Sequence, residues 1–243
     1  DGKLFTCGNY STTFGSISLE STKWTERTEW LNGEKALDIT TMADGTATLV
    51  LTEEGNLYGW GNKSKLGINS TSSNAIKVAT KLPIDNVVQV VAGKGFFIAV
   101  KNDGTVWAAG YNGYGQLGNG TTSSTTEFIQ VELNETEYLR NIVAIAAGDN
   151  TTYAITGNGE VYAWGYGSYG QTGNGKSSYY NLYPQKMKKV NSIIQISAGE
   201  DYAIMLDANG TVWGTGYNGW GNLGINSSSS FRKFISLIVS ITS

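Results

Sequence analysis

Asp103–Gly120 reads DGTVWAAGYNGYGQLGNG. It opens on the turn dipeptide Asp103-Gly104, continues through a short strand-like run, and ends in a loop in which five of the eleven residues Gly110–Gly120 are glycine. Asp-Gly and Asn-Gly beside β-branched and aromatic residues signal a hairpin, because glycine reaches positive φ without a Cβ clash. The chain repeats this stretch. Asn158–Gly175 is NGEVYAWGYGSYGQTGNG and Asn209–Asn226 is NGTVWGTGYNGWGNLGIN. Glu54–Asn69 is EGNLYGWGNKSKLGIN, two residues shorter in the loop, and Asp1–Gly15 keeps only the first half.

The marker glycines are Gly2, Gly55, Gly104, Gly159 and Gly210, so the steps are 55−2=53, 104−55=49, 159−104=55 and 210−159=51. A period near fifty with strand-like segments in each unit predicts propeller blades. No sustained i, i+3, i+4 apolar pattern occurs, so helices are not expected. Each blade has four predicted strands. The third strands Asn56–Trp60, Thr105–Ala109, Glu160–Trp164 and Thr211–Thr215 have an aromatic third residue, as does Leu4–Cys7 in slightly shifted form. Alternation sends Phe5, Tyr58, Trp107, Tyr162 and Trp213 to one face and Leu4, Leu57, Val106, Val161 and Val212 to the other. Stacked blades are expected to bury both sets. The first strands, such as Val87–Val91 and Ile142–Ala146, are Val-, Ile- and Ala-rich, as in strands packed on both sides. A last first-type strand is predicted at Leu237–Ile241. The fourth strands, among them Glu127–Leu133 and Tyr183–Lys188, are polar, as suits an outer edge.

At these residues the chain resembles the regulator of chromosome condensation repeat family. The family core, D/N-G-x-V/L-aromatic-x-x-G-x-N-x-x-G-Q-L-G-x-G, is matched closely at Asp103–Gly120 and Asn158–Gly175 and nearly so at Asn209–Asn226. The family's preceding A-G-x-x-His stretch is matched at Ala92-Gly93, Ala147-Gly148 and Ala198-Gly199, but Ala47, Phe96, Thr151 and Tyr202 stand where the family has histidine. The resemblance implies an all-β propeller spanning residues 1–243 as one repeat domain. Four full four-stranded blades plus partial terminal pieces make it a segment of a larger ring. The terminal pieces lack one second strand, so the ring is not expected to close, and the end blades are expected to leave Phe5 and Leu4 without a neighbour.

Composition narrows function. Net charge is −3, so no general basic field attracts nucleic acid. A lone cysteine, Cys7, excludes an internal disulfide, and no apolar run is long enough to span a membrane as a helix. With no histidine, most Ser-His-Asp and Cys-His sites are excluded and no metal or cofactor is called for. The adjacent acids Glu53-Glu54 and Glu200-Asp201 fall at strand ends, where carboxylates cap turns or face water. The glycine-rich loops precede no helix and lack Lys-Ser/Thr, so they are not phosphate loops.

The loops after the third strands remain. They place Tyr111 and Tyr114, Tyr166 and Tyr169, Tyr217 and Trp220 at equivalent positions. Equivalent loops share one face of a propeller, so these aromatics are the candidate binding residues. The bland alternative is that the rings only cover the blade edge and support the glycine turns. Gln116 and Gln171 are expected to satisfy loop backbone groups. The chain is thus expected to be a non-enzymatic protein-binding or structural module, with a glycan as a further partner class. Its Tyr-, Asn-, Ser- and Thr-rich composition suggests a bacterial secreted or cell-surface protein. The resemblance alone implies instead a guanine-nucleotide exchange factor for a small GTPase, or an inhibitor that presents a propeller face to an enzyme.

Overall fold

The computed structural model describes residues 2–8, 21–188, 190–225 and 227–237. An N-terminal pair, β1 (Phe5–Gly8) and β2 (Ser21–Glu26), precedes four blades. Blade 1 is β3 (Ala36–Thr41), β4 (Ala47–Thr52), β5 (Leu57–Asn62) and β6 (Ala75–Lys81). Blade 2 is β7 (Val87–Ala92), β8 (Phe96–Lys101), β9 (Val106–Gly110) and β10 (Thr125–Gln130), followed by a small hairpin, β11 (Glu132–Asn134) and β12 (Glu137–Tyr138). Blade 3 is β13 (Ile142–Ala147), β14 (Thr151–Thr156), β15 (Val161–Gly167) and β16 (Ser178–Lys186). Blade 4 is β17 (Ile193–Ala198), β18 (Tyr202–Asp207), β19 (Val212–Gly216) and β20 (Phe231–Leu237). Each blade is a four-stranded antiparallel meander in chain order. The helical turns among the described residues are two short 3-10 turns, at Thr28–Leu31 and Lys63–Lys65.

The marker glycine has a physical reason. Gly55, Gly104 and Gly159 sit at φ +78, +75 and +78 in the turn between second and third strands. Their carbonyls accept Val87 N, Ile142 N and Ile193 N, the first backbone amides of the next blade, at 2.9, 3.1 and 3.0 Å. A Cβ on Gly159 would lie 2.6 Å from Ser192 Cα. At Gly159 the hairpin tip therefore meets the next blade too closely for a side chain, and at Gly55 and Gly104 the nearest atoms of the next blade stand at 3.1 and 3.2 Å. The fifty-residue period is the spacing of this blade-to-blade contact.

The first strands lie side by side, β3 beside β7, β7 beside β13 and β13 beside β17, as inner strands of successive blades. Apolar clusters fill each blade boundary. Leu49, Leu51 and Leu57 of blade 1 pack with Val87, Val90, Phe97 and Ala99 of blade 2. Ile98, Val106 and Ala108 pack with Ile145, Ala154 and Trp164. Tyr153, Ile155 and Val161 pack with Ile193, Ala203 and Met205. Burial of these side chains, about 1.5–3 kcal/mol each, is the main force holding blade to blade.

Several expectations are corrected. The third-strand aromatics are not uniformly buried: Tyr58 is, Trp107, Tyr162 and Trp213 are half-buried, and Phe5 is exposed. They lie at the start of the strand, next to the turn from the second strand, where Trp107 Nε1 donates to Thr105 Oγ1 and Trp213 Nε1 to Asp207 Oδ2. The fully buried tryptophans are Trp60 and Trp164, two residues further along. Leu4 is not left bare; it packs with Leu31, Val50, Tyr58 and Trp60 against blade 1. The inner strands are not covered on both sides, since Leu37, Val88, Val143 and Ile194 are exposed at equivalent positions. Leu237 ends the outer strand β20, paired with Val212, and residues 238–241 of the predicted last strand lie outside the described residues. Among the described residues β1 pairs with β2 alone. The predicted strand Glu127–Leu133 breaks at the buried Val131, which hydrogen-bonds back to Val106, and the chain turns into the β11–β12 hairpin.

Candidate binding face

The site begins at an equivalent glycine near the end of the third strand in blades 2, 3 and 4. Gly110, Gly165 and Gly216 adopt φ +109, +97 and +102. A Cβ on each would stand 2.4 Å from the carbonyl oxygen of Gly95, Asn150 or Asp201, in the turn between first and second strands. The next amide, from Tyr111, Tyr166 or Tyr217, donates to that same oxygen at 2.8, 2.9 and 2.9 Å. The first tyrosine of each loop is thereby fixed above the inner turn of its own blade.

Buried amides hold the rest of the loop. Asn112 Oδ1 accepts Leu117 N at 2.9 Å, and its Nδ2 donates to Asn119 Oδ1, Thr121 O and Ser123 O. Asn218 does the same for Leu223 N. In blade 3 Gly167 replaces this asparagine, and Asn181 from β16 takes the space, donating to Gly165 O. Gln116 and Gln171 act across the blade boundary. Gln116 Oε1 accepts Tyr114 N, and its Nε2 donates to Asn150 Oδ1 in blade 3 at 3.3 Å. Gln171 Oε1 accepts Tyr169 N, and its Nε2 donates to Asp201 Oδ1 in blade 4 at 2.9 Å. The expected structural role of both glutamines is met.

The loops bring five of the six predicted aromatics into one chain of ring contacts. Centroids are 6.3 Å apart for Tyr111–Tyr114, 5.0 Å for Tyr114–Tyr166, 6.1 Å for Tyr166–Tyr169 and 5.2 Å for Tyr169–Tyr217. All are edge-on, the geometry the ring quadrupole favours. Trp220 stands apart, 87% exposed and with no ring partner among the described residues. Sequence reading missed Tyr179 and Tyr180, which reach the chain from β16 and contact Tyr166 and Tyr114. The bland alternative is also partly right. A Cβ on Gly113 or Gly219 would collide with the Tyr111 or Tyr217 hydroxyl, so these two rings do cover the glycine turns.

Charged residues line the inner side of the tyrosines. Ala43 N donates to Gly93 O, Lys94 N to Asp149 O, and Asp149 N to Glu200 O, so the inner turns of the four blades join in an arc. The arc carries Asp44, Lys94, Asp149, Glu200 and Asp201. Lys94 Nζ lies 3.6 Å from Asp149 Oδ2. Lys65, at the position of the repeat glutamine in blade 1, sits 5.6 Å over the Tyr111 ring. Burial, with repulsion from Glu200 and Asp149, pushes the Asp201 carboxyl up to about 6. The Gln171 hydrogen bond and the Lys94 charge oppose this only in part. Tyr166 and then Asp201 push the Tyr169 hydroxyl up. Asp149, Glu200 and Asp201 are legible in the sequence as acids but not as neighbours of the tyrosines. Their position just before the second strand is the signal that locates them.

A cavity of about 350 Å³ opens between Asp44, Lys65, Lys94, Tyr111, Tyr114 and Asn150. A larger groove of about 720 Å³ lies on the outer rim between blades 1 and 2, along Trp107, Phe128, Leu82 and Lys101. Among the described residues no group of three or more acids or cysteines is placed to hold a metal ion, and no helix is long and apolar enough to cross a membrane.

Fold and face together define a repeat β-propeller whose equivalent loops build one preorganised aromatic surface. The regulator of chromosome condensation (RCC1) repeat pattern matches residues 87–116, 142–171 and 193–222, and in a longer form residues 103–155 and 158–206. The chain belongs to the regulator of chromosome condensation repeat family. It is 26% identical over 246 residues to the mouse (Mus musculus) E3 ubiquitin-protein ligase HERC2, covering 96% of this chain and 5% of HERC2. It is 29% identical over 180 residues to the human (Homo sapiens) regulator of chromosome condensation, covering 72% of this chain and 40% of that protein. Yeast RCC1 (Prp20), solved with Kap60 bound, superposes with a TM-score of 0.81 at 17% identity over 99% of this chain and 58% of its own. The chain thus spans less than two thirds of each of these relatives' length.

Proposed function

We propose that the chain is a non-enzymatic protein-binding module and that the tyrosine face is its binding surface. The observation that carries this is the unbroken ring chain from Tyr111 to Tyr217, built by loops of three blades and locked from below by buried amides. Rigid, part-exposed tyrosines supply contact area at little entropic cost. Yeast RCC1 (Prp20) takes a protein partner, Kap60, and this supports a protein over a glycan here. A photo-crosslinking residue placed at Tyr111, Tyr169 or Trp220 in the native cell is expected to capture one common protein. The same residue at Trp24 or Tyr138, exposed elsewhere, is expected not to. Equal capture from both sets would overturn the reading, and capture of glycan alone would replace it. Secretion or surface display, suggested by composition, is tested by fractionating the source cells.

Likeness to the human regulator of chromosome condensation favours a second reading, exchange-factor activity on a small GTPase. Release of labelled guanine nucleotide from small GTPases of the source organism tests it. Acceleration by the chain would establish it.

A further inference from the structure

We propose that the tyrosine face takes a cationic segment of its partner, with an arginine laid against Tyr169 and Tyr217 and paired to Glu200 and Asp201. This rests on the protein-binding reading above. The chain contains its own precedent at the first blade boundary. There Lys65 occupies the repeat glutamine position and lies over Tyr111, a tyrosine equivalent to Tyr166 and Tyr217. At the boundary of blades 3 and 4 the same position holds Gln171, which carries no charge to lay over a ring. Tyr169 and Tyr217 are in edge contact at 5.2 Å there. Tyr217 N is bonded to Asp201 O, so the two residues are joined through their backbones, and the Asp201 charge acts on the Tyr169 hydroxyl.

Charge points the same way. The inner arc carries the carboxylates of Asp44, Asp149, Glu200 and Asp201 against the ammonium groups of Lys65 and Lys94. Lys94 is paired to Asp149. Among the described residues no ion pair reaches Glu200 or Asp201, and Asp201 receives a single side-chain hydrogen bond, from Gln171. The groups facing Asp201 are Glu200, Asp149, Lys94, Tyr169 and the buried Tyr153, so its surroundings are net negative. A planar guanidinium answers this site better than an ammonium. It stacks on a ring while donating to two carboxylate oxygens.

The test is fluorescence anisotropy of the full chain with labelled octa-arginine, octalysine and octaglutamate. Octa-arginine is expected to bind more tightly than octalysine, and octaglutamate not at all. Tyr169→Ala with Tyr217→Ala, and separately Glu200→Gln with Asp201→Asn, are each expected to weaken octa-arginine binding about tenfold or more. Asp85→Asn with Glu127→Gln, a charge change of equal size at the outer rim, is expected to leave it unchanged. Affinity is expected to fall as pH drops from 7.5 to 5, because Asp201 becomes protonated. Equal loss in the rim variant, or no preference for octa-arginine over octaglutamate, overturns the proposal. Where a face variant fails to fold, the wild-type chain decides: octa-arginine must shift tyrosine ring resonances and octaglutamate must not. If crosslinking from the face identifies a partner whose contacting segment is neutral or acidic, the cationic assignment fails while the binding face stands. If face and control positions capture equally, the binding face itself fails.

Discussion

Gln171 Nε2 donates to Asp201 Oδ1 at 2.9 Å across the boundary of blades 3 and 4, while its Oε1 accepts Tyr169 N at 3.0 Å. One buried amide thus fixes the tyrosine loop of one blade and the inner turn of the next. Removing it leaves a loop amide and a half-buried carboxylate unpartnered. Gln171→Ala is expected to cost about 1–3 kcal/mol, the penalty of such orphaned groups. Chemical denaturation measures it. A loss near zero would mean that glycine geometry alone holds the loop.

The Asp201 carboxyl titrates near 6, above its ordinary value of 3.8, because of burial and then the Glu200 and Asp149 charges. The folded chain therefore binds this proton more tightly than the unfolded chain. Stability from this group is greatest below about pH 4, falls as pH rises towards 6, and is lowest above that. Asp201→Asn keeps an oxygen for Gln171 and removes the charge. It is expected to stabilise by about 1 kcal/mol at pH 7.5, once solvent screening is allowed for, and to be near neutral at pH 4. Melting temperatures of the two proteins at both pH values check the sign. A larger gain at low pH than at high pH would refute it.

The tryptophans separate by depth. Trp164 is fully buried, and its Nε1 donates to Gln116 O in the preceding blade at 2.9 Å. Thr152 Oγ1 donates to the same oxygen. Trp164→Ala is expected to cost about 3–5 kcal/mol, since it leaves a cavity and removes one of the two donors to Gln116 O. Trp107 is half-buried at the start of its strand, and Trp107→Ala is expected to cost about 1–2 kcal/mol. Equal losses on denaturation would contradict this depth order.

The repeat makes the blade count, strand order and hairpin turns legible because each depends on local chemistry: Asp-Gly or Asn-Gly at a tip, alternation along a strand, Gly-Gln-Leu-Gly in a loop. Depth along the third strand is not legible. Alternation puts Trp107 and Trp164 on the same face of the strand, yet Tyr58, at the position equivalent to Trp107, is buried while Trp107 is half-buried, so exposure depends on covering by neighbouring segments that alternation does not encode. The acids of the face escape sequence reading for a related reason. Glu200-Asp201 and Tyr217 are sixteen or more residues apart, and the pairing of β18 with β19, with the bond from Tyr217 N to Asp201 O at its end, joins them. Tyr179 and Tyr180 lie on an outer strand that begins at Ser178, five residues before the predicted start at Tyr183. The hairpin β11–β12 reads as continuous strand because Glu132–Asn134 keeps a strand-like composition and Val131 faces inward.

Trp220 tests whether loop position or ring contact makes a face residue. It is exposed and touches no other described ring. Trp220→Ala is expected to change stability by less than about 0.5 kcal/mol. It is also expected to weaken octa-arginine binding less than the Tyr169→Ala, Tyr217→Ala pair does. A loss as large as that pair's would extend the working face outward to Trp220.

Gly165 joins the fold to the face. At φ +97 it lies outside the ordinary range of L residues, and a Cβ would stand 2.4 Å from Asn150 O and 3.2 Å from Gln116 Cα. Both are backbone atoms, so no side-chain rotation relieves the clash. Gly165→Ala must either open the contact with blade 2 or break the bond from Tyr166 N to Asn150 O. Gly221 is the control. It also has positive φ, +71, but a Cβ there meets nothing within 4 Å. Gly221→Ala is expected to cost about 1–2 kcal/mol from backbone strain alone. Gly165→Ala is expected to cost more than about 3 kcal/mol, because strain and steric displacement add. It should also shift the Tyr166 and Tyr169 ring resonances in whatever fraction stays folded. Equal destabilisation by the two substitutions would show that the close approach at Asn150 relaxes freely, and the tyrosine face would then not depend on it.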